Sequence, residues 1–185
     1  IVRDLTNNGF TIVSGLALGI DAIVHQTTID CGGKTIAVLG GGVGDKNIGP
    51  RTNFTLAQNI LKNDGLLVSE YSNEEKIFAS NFAIRDRIIS GLSLGVLVVE
   101  ADEKSGALIT ARCALDQNRD VFAVPGSVLS PKSAGPNTLI QSGAKLIMNA
   151  YDIINEYHEN LQLFSDKKKD VLTKNPTEKK IVDLL

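Results

Sequence analysis

The chain has 185 residues, with 19 Lys and Arg against 21 Asp and Glu, a net charge of −2 and 43% hydrophobic residues. At about 150 residues per domain this is one full domain with a remainder, large enough to bury a core without staples. The charge balance excludes a uniformly basic nucleic-acid coat, so a polyanion site has to be a local patch or be built from backbone amides.

The two cysteines, Cys31 and Cys113, lie far apart with no C-x-x-C partner. That argues against a disulfide framework or a zinc ribbon and suits the reducing cytoplasm. Apolar runs are strand-length, far below the roughly 20 residues of a membrane span, so no membrane association is expected.

The chain opens on a helix-like run, Ile1-Val2-Arg3-Asp4-Leu5, closed by Asn7-Asn8-Gly9. With Ile at position 1 and no strand ahead of this helix, the reading is of a fragment whose first strand lies upstream. Short β-branched runs then alternate with helical spacing. The strands are expected at 11–14, 35–39, 66–69, 96–100, 121–124 and 145–147, and the helices at 20–30, 52–62, 86–92, 107–118 and 137–142. In the helix at 20–30, Ile20, Ile23, Val24 and Thr27 share one face. The strands are continuous apolar runs, which indicates a mostly parallel sheet covered on both faces. The expected fold is therefore α/β, doubly wound and three-layered, with ligands beyond the carboxyl ends of the strands.

A last helix is expected at 152–158, with Ile153, Ile154 and Tyr157 on one face. Residues 1–160 thus form the Rossmann-like domain. The charged stretch 161–176 reads as a linker, and 177–185 as the first helix of a further helical module.

The carboxyl-end turns are rich in glycine: Ser14-Gly15-Leu16-Ala17-Leu18-Gly19, Gly40-Gly41-Gly42-Val43-Gly44, Lys104-Ser105-Gly106-Ala107 and Pro125-Gly126-Ser127. Small residues at helix N-termini let a phosphate approach unpaired N–H groups. Ser14, Gly15, Ser105 and Gly106 are candidates on that ground, although glycine also serves merely to make a tight βα turn. The run at 40–44 lacks the helix and the acid that a dinucleotide site needs, so no nicotinamide cofactor is expected.

Arg85 and Arg87 read as lying at a helix start, where a cation opposes the dipole and needs another reason to be there. Lys104 precedes a helix, while Arg51 and Lys132 lie in carboxyl-end loops. Such donors complement phosphates; ordinary salt bridging of Arg85 or Arg87 with Asp86, Asp102 or Glu103 is the competing account. Glu70 and Glu100 end strands at the same edge and are placed to orient a water or a loop. His25 and His158 have no evident nucleophile or metal partner and Cys113 reads as core, so no catalytic residue, metal site or cofactor is expected.

Taken together, Ser14-Gly15-Leu16-Ala17-Leu18-Gly19-Ile20-Asp21-Ala22, Thr35-Ile36-Ala37-Val38-Leu39-Gly40, Ser69-Glu70-Tyr71, Arg87-Ile88-Ile89-Ser90-Gly91-Leu92-Ser93, Val98-Val99-Glu100-Ala101, Ser105-Gly106-Ala107-Leu108-Ile109-Thr110-Ala111 and Val121-Phe122-Ala123-Val124-Pro125-Gly126 resemble the DprA/Smf DNA-processing family over residues 1–150. The resemblance implies an extended Rossmann-like domain that binds single-stranded DNA, protects it and helps load the RecA recombinase in natural transformation. It also implies a homodimer formed through the carboxyl-terminal part of the domain. A downstream winged-helix-like module is common in the family.

The family's basic pocket maps onto Arg85, Arg87 and Lys104, with the turn residues Ser14, Gly15, Ser105 and Gly106. Leu18 stands where many members carry Arg or Lys, Asp86 replaces the middle Asn of Arg-Asn-Arg, and the loop 44–50 departs from Asp-x-x-Tyr-Pro. An alternative class, the lysine-decarboxylase-like phosphoribohydrolases, has a comparable glycine turn, but no acid occurs from Ser105 through Leu115.

Overall fold

Short β-branched runs ending in small residues become parallel strands, and the stretches between them coil into covering helices. The computed structural model describes residues 1–75 and 78–157. A first unit, Ile1–Ala150, holds every strand found among the described residues, and a second begins at Tyr151.

The first unit runs α1 (Val2–Asn7), β1 (Ile12–Ser14), α2 (Ile20–Asp30), β2 (Thr35–Val38), α3 (Phe54–Lys62), β3 (Leu66–Val68), α4 (Ala79–Leu92), β4 (Gly95–Val98), α5 (Gly106–Asp116), β5 (Asp120–Ala123), α6 (Ala134–Gln141) and β6 (Lys145–Leu146). Single 3-10 turns, Arg51–Asn53 and Pro131–Ser133, lead into α3 and α6. In the second unit residues 151–157 are helical, with Ile153, Ile154 and Tyr157 buried. His158, the expected linker 161–176 and the segment 177–185 lie outside the described residues.

Among the described residues every strand pairing is parallel, as the continuous apolar runs require. The strands form two three-stranded sheets, β1-β2-β3 and β4-β5-β6. In register, Ile12 faces Thr35 and Ala37 faces Leu67 in the first sheet, and Leu97 faces Phe122 in the second. Each sheet has its own core. Leu16, Ala37, Leu39, Ile48, Ala57 and Ile60 pack together in the first, and Val98, Ala101, Ala111, Ala114 and Val121 in the second. The alanines of α5 let that helix lie close on its sheet, and burial of these apolar groups stabilises each layer.

Two helices differ from the sequence reading in an instructive way. The inward face of α2 carries His25 and Thr28, whereas Ile23 is exposed. Helix α4 begins at Ala79, seven residues before the expected start, and buries Asn81, Arg85, Asp86, Ile89 and Ser90 while Phe82 and Ile84 face outward. Its inner face is polar because it lies against the ends of the strands, where main-chain carbonyls and turns need partners.

His25 belongs to the core of the first sheet. The Thr35 hydroxyl donates to the Ile12 carbonyl at 2.8 Å and so accepts from His25 Nδ1, 2.6 Å away. Nε2 is then an unprotonated, buried atom with no partner. Burial, above all, holds the imidazole at a pKa of about 4, with the Asp21 carboxylate opposing this and the Arg85 guanidinium reinforcing it. Since the folded value lies below the unfolded one, the contribution is complete above pH 6.5 and is lost as pH falls toward 4. It amounts to about 3 kcal/mol. The burial-raised carboxyl of Asp86 works in the opposite direction, its share growing as pH falls. Urea midpoints measured from pH 7 to pH 4 should therefore fall more steeply for the native chain than for a His25→Leu variant. Parallel curves would show that His25 is not held neutral in the core.

Candidate nucleic-acid interface

At the end of β1 the chain turns through Leu16, which is fully buried and adopts the left-handed conformation at φ 58°. A left-handed residue between two ordinary ones points successive N–H groups to one side and creates an anion-binding concavity. The chain fills that concavity itself. The carboxylate of Asp21, in the first turn of α2, accepts from Gly15 N at 3.1 Å and from Ala17 N at 3.0 Å. Asn53 Nδ2 donates to the carbonyls of Leu16 and Ala17 at 2.9 and 3.0 Å. The Gly15 amide, expected to meet a phosphate, donates here to an internal carboxylate.

Arg85 also belongs to this turn. It is 5% exposed and stands mid-helix rather than at a helix start. Its Nη1 donates to the carbonyls of Gly15 (2.6 Å) and Val38 (2.5 Å), at the ends of β1 and β2. Its Nε donates to Asp86 Oδ1 at 2.9 Å. Gly15 is glycine because any Cβ there would overlap the guanidinium.

Asp86 completes the link to the second sheet. It approaches Gly106, at the start of α5, and Thr110 bonds to its carboxyl. Burial pushes this carboxyl above the ordinary carboxylate range, against the pull of Arg85 and the Thr110 hydroxyl. The Arg85–Asp86 pair therefore joins the carboxyl edges of the two sheets through α4. The sequence reading gave Arg85 to phosphate; the structure gives it to three internal acceptors.

The glycine run after β2 is explained by close packing. A side chain at Gly42 would collide with the carbonyl oxygens of Ser72 and Asn73, and Gly42 N donates to Glu75 O at 3.1 Å. Arg51 donates to the Asp45 carbonyl at 2.5 Å and lies 4.5 Å over the Phe54 ring, which ties down the 44–50 loop. After β5, Asn137 clamps Gly126, accepting from its N–H at 3.2 Å and donating to its carbonyl at 3.0 Å. Sequence reasoning missed Asp21, Asn53 and Asn137. Only Asp21 carried a signal, as an acid in the first turn of a helix.

The remaining cations face solvent at the same edge. Arg87, one residue beyond the buried pair, is 53% exposed and ion-paired with Glu70, two residues past the end of β3. Lys132 is 72% exposed, and its Nζ is 3.2 Å from Glu100 Oε2, two residues past β4. Lys104 is exposed in the turn before α5, with its backbone N–H held by Asp102 Oδ1 at 2.9 Å. The Ser105 hydroxyl caps α5 by accepting from Ala107 N at 3.4 Å, and Gly106 lies exposed at the helix start. Ser14 is half-buried behind the Asp21-filled turn. Of the eight sequence candidates, the structure brings Arg87, Lys104, Ser105, Gly106 and Lys132 to the accessible edge, keeps Gly15 and Arg85 inside and leaves Ser14 half-buried.

Among the described residues no group of three or more His, Cys, Asp or Glu side chains is arranged to hold a metal. Among them, too, no helix is long and apolar enough to cross a membrane. The edge thus presents three exposed cations, two of them paired with carboxylates of the chain.

Comparison with known proteins decides the relationship. The family described as DNA recombination-mediator protein A matches residues 1–158. The chain belongs to that family. It is 49% identical to Protein Smf of Escherichia coli over 158 residues, covering 85% of this chain and 41% of that protein. It is 48% identical to the DNA processing protein DprA of Bacillus subtilis over 159 residues, covering 86% of this chain and 52% of that one. The chain thus spans about half the length of the curated relatives it matches.

Two solved members of the recombination-mediator family share the fold. DprA from Streptococcus pneumoniae superposes with a TM-score of 0.76 at 42% identity, covering 84% of this chain and 54% of that one. DNA processing protein A from Helicobacter pylori, described for its single-stranded DNA binding mode, gives a TM-score of 0.76 at 32% identity over 86% of this chain and 71% of that one. The resemblance read from the sequence and its Rossmann-like α/β class are confirmed by these matches.

Proposed function

We propose that this chain binds single-stranded DNA without sequence preference along the carboxyl edge of its two sheets. The observation that carries the reading is the placement of Arg87, Lys104 and Lys132, three solvent-facing cations from three different segments, on one edge beside the exposed start of α5. Phosphates engage the forked Arg87 and the two ammonium groups, while the amide at Gly106 adds a donor with the helix dipole behind it. Nothing in this set reads base edges, so affinity comes from the backbone and falls steeply with salt. Phe78, exposed just before α4, supplies a platform for stacking a base.

Family membership and the single-stranded DNA binding described for the Helicobacter pylori protein support the reading. The same membership supports a role as a mediator that loads RecA recombinase onto the bound strand during natural transformation. It supports a homodimer as well, for which the apolar Leu146 and Met148 at β6, exposed in the carboxyl-terminal part of the first unit, offer surface. The free thiols Cys31 and Cys113 suit the cytoplasm. The function needs no catalytic step.

Fluorescence anisotropy of labelled single- and double-stranded oligonucleotides at two salt concentrations tests this directly. Tighter binding of the single strand, weakening steeply with salt, is expected. Equal affinity for duplex, or no binding at low salt, would reject the reading.

A further inference from the structure

The edge that carries the cations also carries its own anions. Glu70 Oε2 accepts from Arg87 Nη2, and Glu100 Oε2 holds Lys132 Nζ at 3.2 Å. Each glutamate stands two residues beyond a strand, β3 in one sheet and β4 in the other. Asp21 does the same at the amides of Gly15 and Ala17. Arg87, Lys132 and the amides of Gly15 and Ala17 are thus already matched to carboxylates of the chain, whereas Lys104 and the start of α5 are not.

The three matches are not alike. Asp21 is held by two backbone amides inside a turn, in a structural role. The two glutamate pairs are open to water, with side chains of Arg87 and Glu70 53% and 30% exposed and those of Lys132 and Glu100 72% and 51% exposed. Exposed pairs of this kind are weak and exchange readily.

Taking the single-stranded DNA reading as its basis, we infer that Glu70 and Glu100 are resident competitors for the cations that bind DNA phosphates. They lower the affinity of every phosphate that meets Arg87 or Lys132, so a strand that engages both cations pays the cost of displacement twice. A lone phosphate arriving at Arg87 or Lys132 exchanges one ion pair for another and meets the displaced carboxylate nearby. A strand makes the same exchange at both positions while also engaging Lys104 and the start of α5. The two glutamates therefore set how tightly the edge holds a strand, which has to displace both of them, and they are affinity-determining residues of the interface.

Anisotropy titrations of a fluorescein-labelled oligothymidylate, with thymidine monophosphate as competitor, test this on the native chain and on Glu70→Gln, Glu100→Gln and the double variant. Asp116→Asn, at the far end of α5, changes net charge equally on the opposite edge and is the control. At low salt each glutamate variant is expected to bind the oligonucleotide about 3-fold tighter and the double variant about 10-fold tighter, the gain shrinking as salt rises. Thymidine monophosphate, which meets one cation at a time, should gain at most about 3-fold and so compete less well against the double variant than against the native chain.

Tightening confined to the glutamate variants supports the inference. Unchanged or weaker binding in both, or equal tightening with Asp116→Asn, overturns it while leaving the DNA reading intact. A native chain that does not bind the oligonucleotide overturns both together. Thermal melts identify a variant that fails to fold, in which case the other site carries the comparison.

Discussion

Arg85→Ala is expected to destabilise the fold by about 4 kcal/mol and to lower the melting temperature by roughly 10 °C. The guanidinium satisfies two carbonyls, Gly15 O and Val38 O, and neutralises Asp86, all of them shielded from water. Removing one member of a buried pair strands the other: the Asp86 carboxylate loses its nearest cation, and two carbonyl groups lose their donors. The variant also opens space beside Gly15, whose missing side chain exists to admit the guanidinium.

Because the loss comes from an orphaned charge, Asp86→Ala in the same background should restore part of it. The double variant will be more stable than the sum of the single changes implies. Thermal and urea unfolding of the two single variants and the double variant measure this cycle. An Arg85→Ala chain within about 1 kcal/mol of native stability would contradict the buried geometry. At temperatures where the variant is folded, its affinity for single-stranded DNA should change little, since Arg85 does not reach the accessible edge.

How far the sequence carries the reader depends on which way each residue's side chain turns. Strands at 35–38 and 120–123 follow from β-branched runs, and α2 runs from Ile20 to Asp30 as expected, although its apolar spacing marks a face other than the one that packs inward. The amino-terminal half of α4 was illegible because its pattern is inverted. Phe82 and Ile84 face outward and Asn81, Arg85 and Asp86 face inward, so no apolar stripe marks the helix. Helix α6 was read short because Gly135-Pro136 resembles a loop, although proline is tolerated in a first turn, where its missing N–H breaks no helical bond.

At the site, motif order was enough to place the family, but it could not separate a cation used inside from one used outside. Arg85 and Arg87 differ by two positions on one helix, which is enough to bury one and expose the other. The glycine turns were similarly ambiguous: only coordinates reveal that Asp21 fills the first and that Ser72 and Asn73 crowd the second.

The largest functional effect should come from removing the three accessible cations together. Arg87→Gln, Lys104→Gln and Lys132→Gln each delete a charge that faces solvent, so the combined variant is expected to keep its fold. Two of the three lose only an exposed ion pair with Glu70 or Glu100. Each phosphate contact releases counterions from a single strand and contributes about 0.7 to the slope of log affinity against log salt. Loss of three contacts should therefore flatten that slope by about 2 and weaken binding by roughly 100-fold near 50 mM salt.

The salt dependence of oligothymidylate binding, compared between the native chain and this triple variant, is the most direct test that the carboxyl edge is the DNA interface. A folded variant with a flattened slope and affinities that converge on the native values at high salt is the predicted result. A folded variant with the native slope and native affinity would place the DNA elsewhere on the molecule.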